Sequence, residues 1–200
     1  MLFRSDGYSD ADSTWTTSNG ADSCEITAGD SYRDRNGCTD TDGDGASDGD
    51  SSWTTSNGAD AFPNDSSQWE DSDGDGYGDN PPPATDGDGC PSTSGTSTED
   101  RFGCTDTDGD GYSDPDSSWT VSNGADAFAS DATQWIDSDG DGYGDNASGN
   151  NPDSCPTATG TSTELNRLGC PDTDGDGYAD IDDDFDNDST QFEDSDGDGY

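Results

Sequence analysis

The sequence contains no lysine and no histidine, and its five basic residues are arginines that stand against 49 aspartates and glutamates. A formal net charge of -44 over 200 residues repels a phosphate backbone, which excludes DNA and RNA as partners. The same charge would keep a bare chain expanded by self-repulsion. The chain therefore needs cations in order to fold.

Apolar side chains are scarce, at 23% of the residues, and the mean hydropathy is -1.16. Their burial alone is too small to offset a backbone entropy cost of about 1 to 2 kcal/mol per residue. No apolar run approaches the roughly 18 residues of a membrane span, and the start Met1-Leu2-Phe3-Arg4 is too short for a signal peptide. We expect the repeats described next to continue in a longer, exported chain.

Regular secondary structure has little support, because no segment has helical periodicity and Gly, Asp, Ser, Asn and Pro recur every few residues. The predicted fold class is an irregular, elongated tandem repeat in which cations and disulfides replace the core. The best strand candidates are the Trp-Thr-Thr-Ser segment at Trp53 and the Trp-Thr-Val-Ser segment at Trp119. Each is followed by Asn-Gly, a hairpin signal that predicts a short β-ribbon.

The chain repeats itself every 66 residues, which separate Cys38 from Cys104, Cys104 from Cys170 and Trp53 from Trp119. The last copy lacks the segment 117–125, which is therefore an optional insert. The period divides the chain into a degenerate partial repeat at 1–35, calcium-binding repeats at 36–101 and 102–167, and a truncated calcium-binding repeat at 168–200.

Each repeat contains loops with Asp at positions 1, 3, 5 and 9, Gly at position 6, and a residue at position 7 whose backbone carbonyl would face the ion. This is how short loops present six to eight oxygens to Ca²⁺. The predicted ligands are Asp40, Asp42, Asp44, Ala46 and Asp48; Asp71, Asp73, Asp75, Tyr77 and Asp79; Asp106, Asp108, Asp110, Tyr112 and Asp114; Asp137, Asp139, Asp141, Tyr143 and Asp145; Asp172, Asp174, Asp176, Tyr178, Asp180 and Asp183; and Asp194, Asp196 and Asp198.

Two features separate these loops from an EF-hand. Position 12 is never the expected Glu and is a carboxylate only at Asp183, and no flanking helices are predicted. The first copy, at 5–10, keeps only the back half of a loop, so we expect weak or absent metal binding there.

The segment Asp-Thr-Asp-Gly-Asp-Gly after Cys104 and Cys170, with Asp-Ser-Asp-Gly-Asp-Gly-Tyr-Gly-Asp-Asn elsewhere, resembles thrombospondin type 3 repeats over most of 36–200. The resemblance implies an irregular chain wrapped around many calcium ions, with disulfides between turns. It also implies that further acidic residues complete neighbouring sites. These secondary ligand candidates are Asp50, Asp116, Asp182, Asp60 and Asp126.

The six cysteines form three short-range pairs in a chain with few apolar residues, which predicts disulfides and an extracellular or cell-surface location. Local pairing would join Cys24 to Cys38, Cys90 to Cys104 and Cys155 to Cys170. The alternative joins Cys38 to Cys90 and Cys104 to Cys155, and leaves Cys24 and Cys170 for adjoining repeats.

The leading functional hypothesis is a calcium-dependent extracellular rod, stalk or fibre that assembles with copies of itself. The alternative is a calcium-dependent adhesin whose aromatic residues, such as Trp53 and Trp119, bind carbohydrate or a surface receptor. A calcium buffer and an acidic disordered chain are further alternatives. No enzymatic activity is expected, because His, Lys and an unpaired Cys nucleophile are absent. Candidate N-glycosylation sites are Asn64, Asn146 and Asn187.

Overall fold

The structure, a computed structural model, describes residues 6–14 and 16–199. Over these residues it contains neither α-helix nor sheet, and only isolated parallel bridges such as Gly78 to Gly87 and Gly144 to Pro152. The predicted irregular, disulfide-stapled repeat is therefore confirmed. None of the helices in this part of the chain has the length and apolarity needed to cross a membrane.

Three 3-10 helices of one turn each are the regular elements of the described chain: Thr17–Asn19, Thr55–Asn57 and Val121–Asn123. The β-ribbons predicted for the last two segments are therefore wrong. The Asn57 side-chain oxygen accepts the Thr54 hydroxyl at 3.2 Å, and Gly58 at φ 104° ends the turn in the left-handed region. Asn57 and Gly58 thus end a single helical turn that begins at Thr54. The hydrogen bonds of this segment are made within the turn, so no pairing with a second strand is required.

The chain divides into two compact units, one formed by Met1–Gly95 with Arg101–Cys104 and the other by Thr96–Asp100 with Thr105–Tyr200. In both units the buried apolar side chains are small. They belong to Ala21, Cys38, Ala46, Ala59 and Cys104 in the first unit and to Ala125, Cys170 and Ala179 in the second. Buried Asp, Ser and Gln side chains outnumber them, so a polar interior holds each unit together.

Two buried glutamines show how that interior is satisfied. Gln68 is 1% exposed, donates to the carbonyls of Asn80 at 2.9 Å and Thr85 at 3.0 Å, and accepts the Asn80 N–H at 2.9 Å. Gln134 makes the equivalent three bonds in the second unit. Each glutamine therefore ties the chain before a loop to the chain that leaves it.

Candidate metal centres

The acidic loops share one hydrogen-bond pattern, which begins with the aspartate at position 1. In the loop 40–48, the two carboxylate oxygens of Asp40 accept the N–H groups of Gly43 and Gly45, each at 2.8 Å. Both glycines have positive φ, 83° and 101°, which glycine adopts without strain. The position 4 glycine is thus as important for the turn as the position 6 glycine, although the sequence argument singled out only the latter.

The remaining aspartates close the loop. The oxygens of Asp48 accept the N–H and hydroxyl of Thr41 at 3.0 and 2.5 Å, while Oδ1 of Asp44 accepts the Ala46 N–H at 2.7 Å. These bonds hold both oxygens of Asp48 and Oδ1 of Asp44 in place, and they leave Oδ2 of Asp44 buried without a hydrogen-bond partner. Position 1 makes its two bonds in all six loops, at Asp40, Asp71, Asp106, Asp137, Asp172 and Asp194.

Five aspartate triplets bring one carboxylate oxygen from each member to within 4.8 Å of the other two. They comprise positions 1, 3 and 5 of each complete loop, and such a spacing lets three oxygens reach one metal ion. The triplets are Asp40, Asp42 and Asp44; Asp71, Asp73 and Asp75; Asp106, Asp108 and Asp110; Asp137, Asp139 and Asp141; and Asp172, Asp174 and Asp176.

A further aspartate from outside each loop lies against it, and we call it the closing aspartate. At the first complete loop it is Asp60, which is 3% exposed and whose N–H donates to the Ser47 carbonyl at 2.9 Å. Its Oδ1 accepts the Phe62 N–H at 2.7 Å, whereas its Oδ2 is buried without a hydrogen-bond partner. The corresponding residues are Asp88, Asp126, Asp153 and Asp183, all at most 8% exposed.

The electrostatics of the closing aspartates indicate how close they are to the loops. Burial, with smaller contributions from the carboxylates of Asp44 and Asp42, raises the pKa of Asp60 to about 6 against the lowering effect of the Phe62 N–H. Burial likewise raises the pKa values of Asp88 and Asp126 to about 6. The carboxylates of the adjacent loops thus lie close enough to these aspartates to disfavour their ionisation.

Within the described residues, the buried side-chain oxygens that lack a hydrogen-bond partner all belong to aspartates of these clusters and of a partial loop near residue 6. At the first complete loop they are Oδ2 of Asp42, Asp44 and Asp60. A buried carboxylate oxygen without a partner costs several kcal/mol, so a native fold does not retain such a group uncompensated. A metal ion could satisfy three converging carboxylates at once.

Asp60 and Asp126 are only secondary candidates from the sequence, and the loop spacing does not indicate Asp88 or Asp153. A readable signal marks them, since each closing aspartate stands two residues before Cys or Phe. The N–H of that Cys or Phe donates to the aspartate Oδ1, as Cys90 does to Asp88 at 2.6 Å. The secondary candidates at position 11 have other contacts.

Asp50 binds Arg35 at 2.8 Å, and this hydrogen bond, with those from Ser52, holds the Asp50 pKa well below its usual range. Asp182 pairs with Arg167, and Asp116 accepts the N–H groups of Ser118 and Trp119. In these contacts the position 11 residues anchor the chain that follows the loop.

The residue at position 7 faces an aromatic partner in three loops. Tyr77 stacks on Phe102, Tyr112 on Trp135 and Tyr178 on Phe192, with ring centroids 5.6, 5.4 and 3.9 Å apart. Where position 7 is Ala46, Arg33 takes the place of the ring. It lies 3.8 Å over Trp69 and donates to the Asp44 carbonyl at 2.7 Å. That the position 7 carbonyl binds the ion stays a prediction.

The structure contains the three local disulfides, Cys24–Cys38, Cys90–Cys104 and Cys155–Cys170. The bonds Cys90–Cys104 and Cys155–Cys170 lie next to the closing aspartates Asp88 and Asp153, whose carboxylates accept the N–H groups of Cys90 and Cys155. A Cβ at Gly103, the residue before Cys104, would lie 2.6 Å from Oδ1 of Asp88, so only glycine allows this close approach. The disulfides favour an oxidising compartment, as in secreted proteins.

The three sequons differ in their surroundings. Asn64 and Asn187 are exposed, whereas the Asn146 side-chain nitrogen donates to the Thr133 carbonyl at 2.8 Å. A glycan on Asn146 would be attached to this same nitrogen and would leave it a single N–H. Comparison with known proteins finds no family model and no curated protein that matches the chain.

Proposed function

We propose that the chain is a calcium-binding structural repeat protein in which the ions take the place of a hydrophobic core. The closing aspartates carry this proposal, because each puts a buried carboxylate against an aspartate triplet that already presents several oxygens. Four or more carboxylates around one position need a divalent cation for charge balance.

The chemistry of the donor set favours Ca²⁺ over other metals. Every candidate ligand is an oxygen, while the nitrogen and sulfur ligands preferred by Zn²⁺ are missing because the chain has no His and its cysteines form disulfides. Mg²⁺ requires a near-ideal octahedron and retains several waters, whereas Ca²⁺ accepts irregular cages of six to eight oxygens. Irregular loops of carboxylates therefore suit Ca²⁺ best.

The likeness to thrombospondin type 3 repeats agrees with this proposal, and it extends it to an extracellular rod, stalk or fibre with no enzymatic activity. Repeats whose neighbours complete one another can stack into an extended array, and such an array can pair with further copies of itself. Calcium would set its stiffness, because the carboxylates of each metal-free loop repel one another.

The adhesin alternative has less support. The Trp53 indole N–H donates to Asp34 at 3.0 Å and the Arg35 guanidinium lies over the ring, while the Trp119 N–H donates to Asp100 at 2.9 Å. These intramolecular contacts favour packing as the role of both rings.

Solution scattering with calcium and after its removal tests the proposal on the disulfide-intact chain. In millimolar calcium we expect a radius of gyration below the roughly 48 Å of an unfolded 200-residue chain. When calcium is removed, we expect expansion toward that value. Magnesium at the same concentration is the control ion. An identical profile with and without calcium would contradict the proposal.

A further inference from the structure

The described chain begins with an incomplete loop whose aspartates follow the geometry of the complete ones. Asp6, Gly7, Tyr8, Ser9 and Asp10 stand at positions 5 to 9. The Tyr8 N–H donates to Oδ1 of Asp6 at 3.1 Å, just as the Ala46 N–H donates to Asp44. The back half of the loop is thus folded like its complete counterparts.

Asp22 closes this incomplete loop. Its N–H donates to the Ser9 carbonyl at 2.8 Å, and its Oδ1 accepts the Cys24 N–H at 2.7 Å, which are the two bonds that Asp60 makes to Ser47 and Phe62. Asp22 is fully buried, at 0% exposure. The chain thus holds a carboxylate in its interior beside a loop that lacks its front half.

Three buried oxygens of this incomplete loop and of Asp22 have no hydrogen-bond partner: Oδ2 of Asp6, Oδ1 of Asp10 and Oδ2 of Asp22. Burial, together with the charges of Asp6, Asp10 and Glu25, raises the pKa of Asp22 above its ordinary value. A Cβ at Gly37 would lie 2.6 Å from Oδ1 of Asp22, so the backbone packs directly on this carboxylate. A fully buried, unpartnered carboxylate oxygen beside two others points to a bound cation.

We propose that Asp6, Asp10 and Asp22 form an additional calcium site, where the sequence alone predicts weak or absent binding. The choice of Ca²⁺ rests on the function proposed above. In the sequence, Leu2 and Arg4 stand at positions 1 and 3 of the motif, so two carboxylates of a complete loop are missing. The site binds calcium more weakly than the complete loops do.

The ion has a specific structural task at this position. It joins the segment 6–10 to Asp22, which is linked through Cys24 to Cys38 and so to the first complete loop. Calcium thereby fixes the segment 6–22 to the disulfide.

The test counts bound calcium ions by native mass spectrometry of the disulfide-intact full chain over a range of calcium concentrations. Asp22→Asn keeps the size of the side chain and the Oδ1 acceptor, and it should bind one ion fewer than the unmodified chain. Asp30→Asn is the matched control, because Asp30 is exposed in the same unit and loses the same charge. It should retain every ion.

Asp60→Asn separates this inference from the proposed function. If Asp60→Asn loses one ion and Asp22→Asn loses none, the additional site is refuted and the calcium-binding function stands. If the unmodified chain binds no calcium, both fail. Disulfide mapping checks the folding of each variant, and Asp10→Asn, which leaves the Asp22 to Cys24 bond intact, should also lose one ion.

Discussion

Asp60 donates its backbone N–H to the carbonyl of Ser47. This bond brings a residue from beyond the segment 51–59, the counterpart of the insert 117–125, against the loop 40–48. We call both segments the tryptophan inserts, after Trp53 and Trp119. Asp126 and Ser113 repeat this relationship in the second unit. Each metal cluster is therefore assembled from two separate stretches of chain, and its affinity depends on both.

Substitution of a closing aspartate should weaken one site and leave the others intact. We expect Asp126→Asn to lower the calcium affinity of the loop 106–114 by about tenfold or more, equivalent to at least about 1.4 kcal/mol, because one negative ligand is removed. Competition with a chromophoric calcium chelator measures the change. Asp30→Asn is the charge control, and equal affinities for the two variants would contradict the assignment.

Removal of a disulfide should affect the neighbouring metal site selectively. The bond Cys90–Cys104 holds Gly103 and Cys90 against Asp88, so Cys90→Ala with Cys104→Ala should weaken the site that Asp88 closes. Loss of a disulfide that closes a loop of about 15 residues also lowers the free energy of unfolding by about 3 kcal/mol. Because both changes act on one site, adding Asp88→Asn should lower the affinity little further.

Full additivity of these substitutions in a double-mutant cycle, measured by calcium titration, would show that the disulfide and Asp88 act independently. The site closed by Asp60 has Phe62 in place of Cys and is the internal control, since its affinity should stay the same.

The metal-free chain should lose stability as the pH rises from about 4 to about 7. The pKa values of Asp60, Asp88 and Asp126 are raised by burial to about 6 in the fold, above the ordinary aspartate value of 3.8. Between these values the folded chain holds more protons than the unfolded chain, so rising pH favours unfolding. The lowered pKa values of Asp50 and Asp131 act only below about 4, outside this interval.

Solution scattering of the resin-stripped, disulfide-intact chain at pH 4.5 and 7.5 measures this effect, and we expect the larger radius of gyration at pH 7.5. With saturating calcium the order should reverse, since protons compete with the ion for the same carboxylates. A metal-free chain that is more stable at pH 7.5 would contradict the burial of these aspartates.

The packing of Trp119 in the insert 117–125 should depend on Asp100. Its carboxylate accepts the N–H and hydroxyl of Ser113 at 2.8 and 2.6 Å and the Trp119 indole at 2.9 Å. Asp100→Ala should cost about 1 to 3 kcal/mol, because buried Ser113 loses both bonds and the indole becomes more exposed. A red shift of tryptophan emission and a lower denaturant midpoint report the change.

Asp34→Ala should reproduce this result in the first unit, where Asp34 makes the same contacts to Ser47 and Trp53. Unchanged emission in both variants would show that the aspartates do not position the rings.

The acidic loops were predictable because their chemistry is local. Positions 1, 5 and 9 fold onto N–H groups within the same nine residues, so the spacing in the sequence determines the geometry. The local disulfides were foreseeable for a similar reason, since 14 or 15 residues separate the partners.

The closing aspartates were harder to predict because variable numbers of residues separate them from their loops. Asp88 and Asp153 follow segments of different composition, and only the Cys two residues later marks them. The strand prediction failed for the opposite reason. Thr54 and Asn57 satisfy each other within one turn, which period-two patterning does not detect.

Because the hydrogen bond from Asp60 to Ser47 holds the closing aspartate against the loop, the geometry of the site does not depend on the number of residues between them. A closing aspartate that makes this bond follows position 9 by twelve residues at Asp48 and by eight at Asp145. Each doubling of a flexible loop adds only about 0.6 kcal/mol of closure entropy. The interval between position 9 and the closing aspartate is therefore a place where a foreign peptide should be tolerated with little effect on the candidate metal cluster.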